Sequence, residues 1–182
     1  MPPHAGAIGP IPNGADPDAY DRLRRRVLWS MPSGLYLVGS AADGARNLMT
    51  CSFATQLATA PKLVGVGIEI GARTEALILA GGAFTLSLLS RDDRALVRKF
   101  VKPASDDRGA RTLNGVAYRD APVSGAPIPE AAVAFVDCRV RETLELGSHR
   151  LVIGEVVDAG AAEGQDELAV LRMEDTRMNY GG

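Results

Sequence analysis

Between Gly34 and Gly71 three segments rich in valine, leucine and threonine follow one another almost without a break, at residues 35–40, 47–55 and 62–70. Asp43-Gly44 and Ala60-Pro61 are the turn signals between them. Parallel strands need a crossover of about a dozen residues or more, whereas antiparallel neighbours need only a tight turn. Gaps this short therefore demand antiparallel pairing. The same holds for the two longest strand candidates, Ala132–Leu146 and residues 151–159, which are joined by Gly147-Ser148-His149-Arg150, a turn with hairpin chemistry. A strand over Ala83–Leu89 and a final one over residues 167–171 bring the expected number to six or seven, against two or three short helices. The predicted fold is mainly β, an antiparallel barrel rather than a parallel doubly wound sheet.

The helices are peripheral to that barrel. Asp16 is a candidate cap and Pro17 suits a first helical position, so Pro17–Trp29 reads as a helix behind a Pro/Gly-rich arm, residues 1–16. Residues 74–80 read as a second helix, with Thr74 as N-cap, Glu75 in the first turn and Gly81-Gly82 as the stop. A third begins at Ser90, with Asp93 three residues on, and runs through Leu96, Val97 and Phe100 to Pro103. Residues 103–129, with several prolines and Asp106-Asp107-Arg108-Gly109, read as a surface excursion. The 182 residues fit one domain, 17–182, large enough to bury a core without disulfides or metal.

Composition removes several classes of function. A hydrophobic fraction of 46% beside 23% charged residues is that of a globular chain, and no apolar run approaches the roughly 20 residues of a membrane helix. The first 16 residues have neither a basic start nor an apolar stretch, so no secretory signal and a cytoplasmic location are expected. Two histidines and two separated cysteines, Cys51 and Cys138, cannot assemble a zinc site at normal spacing. Both cysteines lie in apolar segments and read as reduced, packed thiols. At a net charge of -2 there is no broad basic field, and Arg22, Arg24, Arg25 and Arg26 read as a solvated helix face, not a nucleic-acid surface.

Four features could carry chemistry. In residues 64–70 glycines recur, but Val64, Val66, Ile68 and Ile70 keep a period-2 strand running through them, which is not the strand-turn-helix context of a dinucleotide loop. Gly65, Gly67 and Gly71 then share one face with Glu69, either a barrel corner or a place where a subunit or cofactor approaches. Asn47, Thr50, Ser52 and Thr55 stud an otherwise apolar strand with groups that need partners, from the protein or from a ligand. Arg73-Thr74 at a helix start is either the outline of an anion site, to which Lys99 can add a second cation, or a plain N-cap beside an exposed arginine. His149, in the hairpin turn, is a candidate hydrogen-bond donor near neutral pH or a bystander.

In order along the chain, these segments resemble the flavin reductase-like family. The entry Trp29-Ser30-Met31-Pro32-Ser33-Gly34-Leu35, the strand Asn47-Leu48-Met49-Thr50-Cys51-Ser52-Phe53-Ala54-Thr55 followed by Ala60-Pro61-Lys62, the turn Ala72-Arg73-Thr74, the helix end Arg98-Lys99-Phe100, and Gly147-Ser148-His149 with Gly154-Glu155-Val156 each match a family motif. The resemblance implies an FMN-binding split barrel of Greek-key-like order, a homodimer, and FMN as cofactor with FAD as the alternative. It places the flavin ring against Met49, Thr50, Cys51 and Ser52, with Asn47 beside them. The phosphate falls near Ser52, Arg73, Thr74 and Lys99, and His149 near a nicotinamide. The implied activity is hydride transfer from NADH or NADPH to the flavin, in some members feeding a monooxygenase. A flavoprotein holding FMN tightly for other electron transfers is the alternative. Phe53 stands where many members carry a second serine, Lys62 where they carry a second proline, and residues 172–180 match the family's ending only loosely.

Overall fold

The computed structural model describes residues 10–162 and 169–176. Helix α1, Pro17–Trp29, begins as the sequence indicates, with the Asp16 carboxylate accepting from the Ala19 N–H at 2.7 Å and Pro17 in the first turn. None of its residues is buried, which makes it peripheral. Strands β1 (Tyr36–Ala42) and β2 (Ala45–Cys51) form a hairpin through Asp43 and Gly44, whose φ values of 49° and 75° are what a two-residue turn of this kind requires.

The segment read as one strand over residues 47–55 is two. The chain breaks at Ser52 and Phe53 and resumes as β3 (Ala54–Thr59), which turns at Ala60-Pro61 into β4 (Lys62–Glu69). No glycine or proline marks the break, because its cause is tertiary: β2 and β3 are the two opposite edges of a seven-stranded sheet, ordered β2-β1-β5-β10-β11-β4-β3. The sheet curls until those edges face each other. Val38, Cys51, Val66, Phe84, Cys138 and Val152, from six different strands of that sheet, share one core with Ile78 of the second helix, and the Cys51 thiol reaches the Gly67 carbonyl at 3.8 Å.

Helix α2 (Arg73–Gly81) is capped by Ala72, not Thr74. Ala72 has no side-chain acceptor to offer, and the Glu75 carboxylate reaches back to the Gly71 N–H at 2.6 Å instead. The helix ends at Gly82 in the left-handed conformation and passes into β5 (Ala83–Leu89), as expected. The third helix is two 3-10 segments, Arg91–Asp93 and Leu96–Phe100. Their three-residue repeat puts Val97 and Phe100 in register on one side, and both are fully buried.

Residues 103–129 are not a loose excursion. They contain a second sheet, β6 (Asp106–Asp107), β7 (Thr112–Leu113), β8 (Val116–Asp120) and β9 (Pro127–Pro129). Leu113, Val116 and Tyr118 from it close a second core over Leu35, Leu37, Leu48, Leu89 and Phe100. Strand β10 (Ala132–Leu146) follows as read, and β11 (His149–Ala161) pairs with it through a two-residue turn at Gly147-Ser148. His149 therefore opens a strand instead of lying in the turn, paired with Leu146 on one side and Glu69 on the other. At Gly154 a Cβ would stand 2.5 Å from the Phe84 ring and 2.8 Å from Cys138, so only glycine lets β11 lie on this core. Of the strand expected over residues 167–171, residues 167 and 168 lie outside the described part, and Val170 makes a single bridge to Ser90. Residues 1–9 of the arm and 177–180 of the ending also lie outside it.

Candidate functional site

The residues singled out from the sequence fall into two groups along β2. At its start, Asn47 is 2% exposed and its amide is used at both ends: Nδ2 donates to Thr74 Oγ1 at 2.8 Å, and Oδ1 accepts from the Ala104 N–H at 2.8 Å. Asn47 thus fastens the first turn of α2 to the segment after the second 3-10 helix. Arg73, on that turn, is exposed, and its guanidinium donates to the Ala104 carbonyl at 3.4 Å. Lys99 is also exposed, and its carbonyl accepts from Asn114 Nδ2 at 2.7 Å while Asn114 Oδ1 accepts from the Ser105 N–H at 2.9 Å. Residues 104–105 therefore join the stretch carrying Lys99 to the one carrying Arg73. The first N–H groups of any helix have no acceptor within it, and with alanine as cap those of α2 face a corner with an exposed arginine.

At the far end of β2 the Ser52 hydroxyl is buried, with the residue 5% exposed, and has no hydrogen-bond partner among the described residues. An unsatisfied buried hydroxyl costs about 1–3 kcal/mol, so its position calls for a reason. Beside it Phe53 stands 47% exposed, its ring edge-on to that of His149 with centroids 5.5 Å apart. His149 Nδ1 lies 2.9 Å from the Ser148 hydroxyl. Between the two groups, Thr50 donates to the Val97 carbonyl at 2.5 Å, and Met49 packs half-buried against the barrel core. Cys51 is inside the barrel, and burial pushes its thiol up to about 12, which leaves it a protonated packing group. As an edge strand, β2 also turns half of its backbone N–H and C=O groups away from β1.

Two residues of this region went unread in the sequence. Glu75 and Arg150 form an ion pair of 2.7 Å with side chains 8% and 15% exposed. They are 75 positions apart, and only Glu75 carried a local signal, its place in a first helical turn. The hydrogen bonds to Glu75, then to Glu145, raise the Arg150 pKa above its ordinary value. The glycine-lined face of β4 is also partly explained: a Cβ at Gly65 would meet Leu57 at 2.8 Å, and one at Gly67 would meet Phe53 at 3.1 Å, so side chains of its own hairpin lie across it. A separate concavity of about 450 Å³, lined by Arg94, Ala95, Arg98, Asp175 and Thr176, includes none of the residues above.

An antiparallel sheet curled until its edges meet, with a second small sheet over one end, is a split barrel. The chain belongs to the flavin reductase family: the model of the flavin reductase like domain matches residues 28–180. Among curated proteins it is similar to the reductase component of the 4-nitrophenol 4-monooxygenase/4-nitrocatechol 2-monooxygenase of Rhodococcus opacus, at 32% identity over 77% of this chain and 72% of that protein. The flavin reductase (NADH) of Kitasatospora aureofaciens is 31% identical over 74% of this chain and 69% of its own length. Among solved structures, the NADH:FAD oxidoreductase of Streptomyces globisporus C-1027 superposes with a TM-score of 0.69 at 27% identity, covering 81% of this chain and 86% of that one.

Proposed function

We propose that this chain is an NAD(P)H-dependent flavin reductase: residues 17–182 form one domain that binds FMN, or FAD in its place, and aligns it for hydride transfer from NADH or NADPH. Family membership supports the class of reaction, and the observation that carries the site is the buried, unpartnered Ser52 hydroxyl. It ends an edge strand whose outward backbone groups suit the carbonyls and nitrogens of a flavin ring, and Arg73, at a helix start whose cap offers no side-chain acceptor, suits a phosphate. This donor set fits the cofactor. The backbone of Met49, Thr50, Cys51 and Ser52, with the Ser52 hydroxyl, lines the ring side, Arg73, Thr74 and Lys99 hold the phosphate, and Asn47 acts by fixing Thr74. His149 contacts the nicotinamide.

When bound, the flavin supplies the chemistry, accepting a hydride at its N5 position. The protein's share is alignment and exclusion of competing reactions, which removes much of the entropic barrier without an acid or base. A monooxygenase component is the partner such a reductase would supply, a reading supported by the Rhodococcus relative. A homodimer is supported by the outer face of β3, β4, β11 and β10, where Phe53, Leu57, Leu144 and Leu146 are all exposed beside His149. A cytoplasmic location fits a chain in which no described helix is long and apolar enough to cross a membrane. Titration with FMN followed by NADH and NADPH oxidation assays tests the proposal. Binding with no nicotinamide oxidation would move the chain to the alternative, a tightly bound FMN protein in other electron transfers. No flavin binding at all would reject both.

A further inference from the structure

Glu75 is nearly dry, at 6% exposure, and both oxygens of its carboxylate are hydrogen-bonded. Oε2 accepts from the Gly71 N–H at 2.6 Å, at the turn just before Arg73, and Oε1 accepts from Arg150 Nε at 2.7 Å. Arg150 follows His149 directly in β11, and its other arm donates to Glu145 of β10 at 2.5 Å. One carboxylate thus joins the turn that presents Arg73 and Thr74 to the strand that presents His149. A part-buried ion pair is poor evidence of added stability, because desolvation offsets the attraction, so another reason for its presence is needed. Its placement supplies one. An unneutralised carboxylate in the first turn of α2 would oppose any anion held there, and Arg150, shared with the solvent-exposed Glu145, offsets it while the fork of its guanidinium fixes the direction of approach.

We infer that Glu75 and Arg150 are positioning residues that hold the Arg73–Thr74 turn at a set distance and orientation from His149, and keep that corner electrically fit for a phosphate. The inference rests on the proposed flavin-reductase reading and makes neither residue a ligand. Misplacement of about 1 Å can cost on the order of a hundredfold in an aligned reaction, so the coupling is measurable.

The test compares Arg150→Met, Arg150→Lys and Glu75→Gln with the unaltered protein in three assays: affinity for FMN and for riboflavin, anaerobic reduction of bound FMN by NADH, and the urea unfolding midpoint. Arg150→Met should weaken FMN about tenfold or more, with riboflavin nearly unaffected, and slow flavin reduction at saturating FMN by about ten- to a hundredfold. Arg150→Lys should recover most of the FMN affinity, having the charge, but not the reduction rate, lacking the fork. Glu75→Gln keeps the shape and the contact to Gly71 and should slow reduction with FMN affinity retained. If FMN and riboflavin weaken equally, in step with the unfolding midpoint, or if reduction stays at the unaltered rate, the pair is structural and the inference is overturned. Should Arg150→Met fail to fold, Arg150→Lys and Glu75→Gln decide by the same criteria. Failure of the unaltered protein to reduce FMN would instead reject the reading beneath it.

Discussion

Replacing Asn47 by alanine removes two hydrogen bonds at once and leaves their partners behind, the Thr74 hydroxyl and the Ala104 N–H, each 2.8 Å from the amide. Thr74 is 1% exposed and Ala104 3%, so neither finds bulk water in exchange. A buried polar group left unpaired costs about 1–3 kcal/mol, which puts the loss at roughly 2–6 kcal/mol for the two. Against the roughly 5–15 kcal/mol that holds a typical domain folded, that is a large fraction. Urea unfolding followed by circular dichroism measures it, since a shift in midpoint at constant slope reports stability alone. Because both partners flank Arg73, FMN affinity should fall as well, and riboflavin affinity less. A loss under about 1 kcal/mol would refute the reasoning, since buried hydrogen bonds of this kind cannot be lost so cheaply.

Other outcomes follow from the same geometry. Arg73→Ala should weaken FMN by about 1.5–3 kcal/mol through one charged hydrogen bond, with riboflavin, which lacks the phosphate, hardly affected in parallel titrations. His149→Ala should raise the Michaelis constant for the nicotinamide or slow flavin reduction while FMN affinity stays within about twofold, as steady-state kinetics and fluorescence titration would report. Burial pushes the thiols of Cys51 and Cys138 up to about 12 from an ordinary 9.0. They should resist maleimide at pH 8 in the folded protein and react after unfolding. The folded state holds these protons where the unfolded state has released them, so their contribution to stability is complete below about pH 9 and is lost as pH rises towards 12, visible as a falling urea midpoint.

The parts of the fold legible in the sequence are those with local punctuation. Gly81-Gly82 and Ser90 bracket β5, and Asp16-Pro17 starts α1, because capping and turn chemistry depend on neighbours in the chain. The break at Ser52-Phe53 had no such mark, since it arises where the curled sheet brings its two edges together. The sheet over residues 106–129 was hidden for a related reason. Val116 and Tyr118 alternate with the exposed Ala117 and Arg119, a period-2 signal too short to stand out among prolines and glycines. In the candidate site, residue types singled out segments of the chain but not the partners of each side chain. The two partners of the Asn47 amide come from segments 27 and 57 positions away, which no local pattern announces. Glu75 and Arg150 share no local pattern at all, and only the pairing of β4 with β11 brings Arg150 beside the turn.

The central claim is that this barrel holds a flavin and passes it reducing equivalents from a nicotinamide. The most direct measurement is the absorption spectrum of the purified protein with one equivalent of FMN, followed by anaerobic addition of NADH and, separately, NADPH. A perturbed flavin spectrum is expected on binding, then rapid bleaching of the visible flavin band, on the order of the 1–1,000 per second common among enzymes, with at least one of the two donors. A spectrum identical to free FMN, or a bound flavin that neither donor bleaches faster than free FMN, would contradict it.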